Sequence, residues 1–442
     1  MMAESRFVRS VAVALVAVWS LVPANARGQG CIDGLPIRPT YTSGAGQNWG
    51  GSGVAVAGSD VFLASSWVGP GTVAVMRLTG SSGLSQVQQI ATGDVEVLRA
   101  AADMFFVGST SGNGSVRIYR RQSAGTYSLA TTINGPISEE AFGHDVAVNE
   151  DATVIAVGAP DAGSAPNQFA GKVYVYARNV STGAWTLQAT LQTPSGPVAF
   201  ARLGSSVSAA GSRIAIDEGG TAATRVFLRT GTTWAQEAAV THSAGGTTSW
   251  ARTVRISGDL LWIRNPGNGR FDAFERSGST WPLRQTLVLS GVAAMAFSNG
   301  ILSVSRPVYS PSRSIQIQSF RRSGSANQWA NFSTVQTPAL DENNTNHLAM
   351  NGDLVVADAF WLDFGSVGDF GAAFLFDINF TDCNGNGVRD ECDIASGTAT
   401  DANSNGIPDS CEITCASDIN RDGFVDGNDL GRLLSDWGTC PN

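Results

Sequence analysis

From about Trp49 to Phe376 the chain is built of short β-branched and apolar runs, largely alternating with polar residues and separated by turn residues. Nothing in this stretch keeps a helical period, so it reads as strands throughout. The clearest unit is Phe142 to Leu191, which contains FGHDVAVNEDATVIAVGAP, GKVYVYARNVSTGAW and TLQATL. Val146 and Val148, Val154, Ile155 and Val157, Val173 and Val175, and Leu187 and Leu191 mark four strands. Asn149-Glu150-Asp151 and Ser181-Thr182-Gly183 supply hairpin turns between them. Each unit is therefore expected to be a four-stranded antiparallel sheet.

A tryptophan after a glycine-bearing turn announces the fourth strand at Trp185, Trp234, Trp281 and Trp329, at intervals of 49, 47 and 48 residues. The same frame gives seven first strands, beginning near Val54, Val97, Val146, Val207, Val254, Met295 and Leu348. A repeat of this length with four strands each predicts an all-β fold, a seven-bladed β-propeller of four-stranded antiparallel blades. The seventh unit reaches its third strand at Ala372–Phe376 and then lacks a fourth. Ile32 to Tyr41, upstream of the first unit, is expected to supply it and close the ring.

The FGHDVAV, VIAVGAPD and GKVYVY segments resemble the FG-GAP repeats of integrin α-chain propellers and of secreted bacterial proteins. RLGSSVSAAGSRIAI at Arg202–Ile216 keeps the pattern, whereas the first, fifth and sixth units keep only the strand rhythm. Integrin blades often carry DxDxDG calcium loops. None occurs between Trp49 and Phe376, so the resemblance implies no calcium in the blades.

At the N-terminus, Arg6 and Arg9 precede an apolar run from Val11 to Val22 and then Ala24-Asn25-Ala26. This pattern predicts a secretory signal peptide over residues 1–26. The run is shorter than the roughly 20 residues a spanning helix needs. A secreted or cell-surface protein with no membrane span in the mature chain is the expectation. Charge is unevenly placed: 12 of the 37 acidic residues but only 3 of the 28 basic ones lie between Asp382 and Asn442, so this tail carries the whole net charge of −9. A neutral propeller with an acidic tail excludes a nucleic-acid footprint.

The tail repeats one 12-residue template three times: DCNGNGVRDECD, DANSNGIPDSCE and DINRDGFVDGND. Oxygen side chains stand at positions 1, 3, 5, 9 and 12, glycine at 6 and an apolar residue at 7, the pattern of a calcium loop whose position 7 offers its carbonyl. The expected Ca2+ ligands are Asp382, Asn384, Asn386, Val388, Asp390 and Asp393; Asp401, Asn403, Asn405, Ile407, Asp409 and Glu412; and Asp418, Asn420, Asp422, Phe424, Asp426 and Asp429. The first two loops resemble thrombospondin type 3 repeats (381–414). The third, followed by LGRLLSDWG, resembles one unit of a type I dockerin (415–442), EF-hand-like, where two are usual. That resemblance implies a cohesin-like partner. Leu430, Leu433, Leu434 and Trp437 share one face of the following short helix, and a small local core under the loop is expected of Leu433, Leu434 and Trp437.

Five cysteines lie in the tail, Cys383, Cys392, Cys411, Cys415 and Cys440, with Cys31 alone at the front. In an exported chain this favours a disulfide-rich tail. Cys31 adjoins the closing segment and Cys383 follows the last blade, so a Cys31–Cys383 bridge that locks the ring is expected. Zinc is disfavoured, because Cys411 and Cys415 are poorly spaced and the tail has no histidine.

No GxSxG, HExxH or P-loop is present, and the three histidines, His144, His242 and His347, are scattered. Loop acids Asp217, Glu218, Asp358 and Asp363 leave open a carboxylate pair of the kind that cleaves glycosides. In antiparallel blades the loop after strand two and the connection to the next blade emerge on one face, and here these are the long loops. Phe169, Tyr309, Phe360, Trp361 and Phe364 would supply its aromatics. The sequence thus points to a propeller over 27–380 that binds a cell-surface or extracellular protein or glycan, with a calcium-binding tail as spacer or anchor. The alternative is a dockerin-tethered glycoside hydrolase or lyase.

Overall fold

Continuous apolar runs such as DVFLAS, MFFVGS and VIAVGA become second strands, Asp60–Ser65, Met104–Ser109 and Val154–Ala159, buried along their whole length. A strand covered on both faces has no use for polar alternation. The computed structural model describes residues 35–37, 53–65, 71–79, 83–136, 141–242, 253–265, 268–323, 328–360, 362, 371–378, 383, 390, 393–394, 397–403, 407–411 and 426–435. The chain divides into two units, Ile32–Phe380 and the remainder.

The larger unit is a seven-bladed propeller of seven four-stranded antiparallel sheets. The blades run over 54–91, 97–134, 146–191, 203–241, 253–288, 294–336 and 348–377. Neighbouring first strands touch in ring order, and those of blades one and seven meet to complete the circle. Blade seven takes its fourth strand from Leu35–Ile37, with Leu35 opposite Leu375 and Ile37 opposite Ala373. The start of the fold thus closes its end, as the missing strand predicted.

There is no single central core. The buried side chains form seven clusters, each between two adjacent blades, including one that joins Val54 and Leu63 of blade one to Val356 and Leu375 of blade seven. The recurring tryptophans serve these seams. Trp185 meets Phe106 edge-on, Trp234 donates to Gln188, Trp281 donates to Glu237, and Trp329 packs on Trp262. Each reaches back to the preceding blade, so the spacing of these tryptophans is the spacing of seams.

FG and GAP also have seam roles. Phe142 is fully buried against Tyr174. Gly143 takes φ 91°, open to glycine. A methyl group on Gly158 would collide with the Gly204 carbonyl of the next blade. Two features were not legible in advance. In blades one to six the pairing of strands three and four slips by one residue at the same place, for example between Val75 and Met76 and between Phe320 and Ser319, a repeated β-bulge. The first strand of blade four also begins at Leu203 rather than Val207, because the register is irregular between them.

In the smaller unit, a helix spans Gly427–Ser435. Cys383 is bonded to Cys411, with Cα atoms 5.6 Å apart. This corrects the expected Cys31–Cys383 bridge. The observed partners, 28 residues apart, staple position 2 of the first loop to position 11 of the second. Closing so short a loop costs less chain entropy than reaching back to the N-terminus. Cys31 and the segment 1–26 lie outside the described residues. No helix among the described residues is long and apolar enough to cross a membrane.

Candidate functional site

The aromatic face is realised only in part. Phe169 lies on the loop after strand two of blade three, which folds onto the connection to blade four: Phe200 N donates to Gln168 O at 2.8 Å and Arg202 N to Phe169 O at 2.9 Å. Phe169 and Phe200 pack at 5.8 Å between centroids, and the Arg202 guanidinium lies 5.0 Å over the Phe169 ring while pairing with Asp161 at 2.5 Å. Phe169, Phe200 and Arg202 all take positive φ, 52°, 61° and 50°. Each such residue costs roughly 1–2 kcal/mol, so surrounding contacts must enforce the turn. Phe200, 58% exposed, is the aromatic that sequence reasoning missed; its signal was the apolar break in a glycine-proline connection. Tyr309 stands apart on blade six, strongly exposed, and Phe360 on blade seven is half-buried. Trp361 and Phe364 lie outside the described residues.

Three of the four loop acids, Glu218, Asp217 and Asp358, are engaged by hydrogen bonds within the fold. Glu218 is buried and accepts bonds from Arg225, Thr193 and Thr221. Burial pushes its carboxyl up, but Arg225 and the two hydroxyls outweigh burial and hold it below the usual range. An acid held ionised in this way is a poor proton donor. Asp217 is buried beside it, with Ser205 Oγ at 3.3 Å. Asp358 is fully buried and accepts from Thr345 Oγ1, Asn346 N, His347 N and His347 Nδ1, all within 2.8–2.9 Å. It fixes the entry into blade seven. Asp363 lies outside the described residues.

Nearer the axis, Asp145 links three blades. Its carboxylate receives Arg99 of blade two at 2.6 Å, its own blade's Val146 N at 2.9 Å, and Val207 N of blade four at 2.9 Å. Beside it, His144 Nδ1 stands 3.7 Å from Glu96. On the opposite face a shallow groove of about 340 Å3 lies between blades three and four. Its acids are engaged, Glu150 by Gly211 N and Asp151 by Thr153.

In the tail, the described parts of loops one and two repeat one device. The position-9 carboxylate accepts the position-2 amide, Asp390 from Cys383 N and Asp409 from Ala402 N, both at 2.9 Å. Asp390, Asp393 and Asp429 are buried carboxylates, and Thr398 Oγ1 donates to Asp393 at 3.0 Å. Ile407, at position 7, leaves its side chain 43% exposed, as a residue required only for its carbonyl can. Asp426 and Asp429 form a capping box at the start of the helix: Asn428 N donates to Asp426 at 2.7 Å and Asp426 N to Asp429 at 2.8 Å. Each carboxylate keeps further lone pairs, so this all-oxygen donor set fits a hard cation such as calcium. Cys383, Asp390 and Cys411 lie together, but the disulfide removes both sulfurs as ligands. Asp401 and Asn403 are among the described residues; Asp382, Asn384, Asn386, Val388, Asn405, Glu412, Asp418, Asn420, Asp422 and Phe424 lie outside them.

The helix corrects one expectation. Leu433 and Leu434 are 46% and 58% exposed, as is their neighbour Leu430 at 56%, so they build no local core among the described residues; Trp437 lies outside them. The buried residue of this helix is Asp429, because the cap needs it there.

No protein-family model matches the sequence, and no curated protein matches it either. Solved structures do match in fold. The periplasmic gluconolactonase PpgL of Pseudomonas aeruginosa is 16% identical, with a TM-score of 0.49 over 68% of this chain and 88% of its own. A putative 6-phosphogluconolactonase from Bacteroides uniformis is 12% identical, with a TM-score of 0.46 over 69% and 95%. The WD40 domain of Toxoplasma gondii coronin is 11% identical, with a TM-score of 0.47 over 78% and 89%.

Proposed function

We propose that this protein is an exported, calcium-binding propeller of FG-GAP type that acts as an adhesion or ligand-binding module. Its acidic tail serves as a calcium-stabilised spacer or anchor. The observation that carries the reading is the matched pair of bonds, Asp390 to Cys383 N and Asp409 to Ala402 N. Two segments of one sequence template take the same local form there, so their oxygen donors have the same means of converging. Asp401, Asn403, Asp409 and the Ile407 carbonyl would hold calcium in the second loop. A bound divalent cation would offset the burial of neighbouring carboxylates and stiffen the tail.

Within the same reading, the exposed Leu430, Leu433 and Leu434 favour attachment through a cohesin-like partner over a purely structural tail. The engaged state of Glu218 and Asp358 favours binding over glycoside cleavage.

Calorimetric titration of chelator-stripped, full-length protein with calcium tests this reading. Three ions should bind to the wild type and two to Asp409→Ala. A wild type that binds no calcium would sink the proposal.

A further inference from the structure

The pairing registers make the blades comparable residue by residue. The first-strand residue that pairs with the third residue of strand two is Ala55, Arg99, Ala147, Ser208, Arg255, Ala296 and Ala349 in blades one to seven. These are the innermost strands of the ring. Five of the seven positions are small, which leaves room at this level for the two arginines that blades two and five place there.

A third guanidinium joins them. Arg264 pairs with Thr253 and Arg255 with Trp262, so Arg255 and Arg264 share one face of blade five as diagonal neighbours. Their charges are poorly compensated. Arg99 has Asp145, but among the described residues Arg255 Nη1 donates to its neighbour Val254 O at 2.8 Å and Arg264 Nη2 to Val292 O at 2.7 Å, both backbone carbonyls. Neither Arg255 nor Arg264 makes an ion pair among the described residues. Arg255 is ringed by protein yet keeps some surface open to solvent, as a side chain in a channel does. Its burial, together with repulsion from Arg99 and Arg264 that Asp145 only partly offsets, pushes it down to about 10. It is still a cation at neutral pH, with Arg264 beside it on the same blade, Arg99 opposite on blade two, and one carboxylate, Asp145, among the three. Charges taken out of bulk water are normally paired. Here no described residue supplies the pairing group for Arg255 or Arg264.

We propose that this arginine layer is an anion-binding site in the propeller channel, taking the carboxylate or phosphate group of a small ligand between Arg255 and Arg99. Each guanidinium offers five N–H groups in a planar fork that matches either oxyanion. The single hydrogen bonds of Arg255 and Arg264 to backbone carbonyls leave most of these donors for a ligand. Arg99 is aimed by Asp145, which therefore acts as a positioning residue. This site is independent of calcium in the tail, and neither proposal stands or falls with the other.

The test is calorimetric titration of the full-length protein, in calcium-free buffer, with inorganic phosphate and separately with glucuronate, against sodium chloride at matched ionic strength. Wild type should bind at least one of the two anions saturably at one site. The tighter ligand tells a phosphorylated from a carboxylated source. Arg255→Gln should weaken binding at least tenfold while melting no lower than wild type without ligand, because it removes a repelled charge. Arg255→Lys, which keeps the charge and loses the fork, should weaken it less. Arg284→Gln, on the exposed outer strand of blade five, should change nothing. No saturable binding by wild type beyond the chloride control overturns the proposal. So does unchanged affinity in both Arg255 variants.

Discussion

The Asp145 carboxylate accepts the backbone amide of Val207 at 2.9 Å, across the seam between blades three and four. The same side chain receives Arg99 from blade two at 2.6 Å. Removing it leaves Arg99 without its carboxylate and a buried amide without its acceptor. Asp145→Ala should therefore lower stability by about 3–5 kcal/mol, the cost typical of breaking a buried pair from one side. Asp145→Asn, which can still accept from Val207, should cost less. Urea unfolding followed by tryptophan fluorescence measures both, and equal stability of Ala, Asn and wild type would show that the link carries no weight.

Gly158 is a sharper probe of the seams. Its missing side chain is where the backbone carbonyl of Gly204 sits, and backbone cannot move aside as a flexible side chain can. Gly158→Ala should destabilise by at least about 1–3 kcal/mol, the usual range for overpacking. Thermal unfolding indistinguishable from wild type would mean that the blades can part at no cost.

These two residues also explain what could be read in advance. Strand rhythm, the tryptophan interval and the missing last strand were local or periodic signals, and they yielded the blades and the closure. The Trp281–Glu237 bond shows why the interval is so regular: each tryptophan must meet the blade before it. Residues whose role depends on one distant neighbour and does not recur from blade to blade gave no such signal. Arg255 is one arginine among many until the register sets it at the level of Arg99. Cys383 bonds Cys411 in its own unit and not Cys31, because a partner 28 residues along the tail is easier to reach than one at the far end of the chain. The leucines of the last helix were expected inside because they share a face, but periodicity says only which residues go together, not what covers them.

Acid should act on the seams through Glu237. Arg213 grips it with two bonds, at 2.9 and 3.0 Å, and Trp281 donates a third at 3.3 Å. The Arg213 bonds hold its carboxyl below the ordinary 4.5, against the opposing effect of burial. A carboxylate with a lowered folded value contributes stability that is fully present above the unfolded value and is lost as pH falls through the folded one. The melting temperature should therefore hold level from neutral pH down to about 4.5 and fall below it. Glu237→Gln should melt lower at pH 7 and lose less on acidification. Parallel pH profiles for the two proteins would contradict the assignment.

Closure of the ring rests on three residues, Leu35–Ile37, paired to Ala373, Phe374 and Leu375. Those three partners are buried to within 2% of completely, and strand three of blade seven has no other neighbour on that side. Deleting residues 32–41 would leave that strand as an unpaired edge of apolar residues beside the seam to blade one. Exposed apolar edges recruit other chains. The deletion variant should melt well below wild type and should form higher-order species that grow with concentration, measured by scanning calorimetry and size-exclusion chromatography. An added peptide spanning 32–41 should partly restore both, because the missing element is a strand and not a covalent link. A deletion variant that stays monomeric with the wild-type melting temperature would mean that blade seven is held by its seams with blades one and six, and that the fourth strand is dispensable.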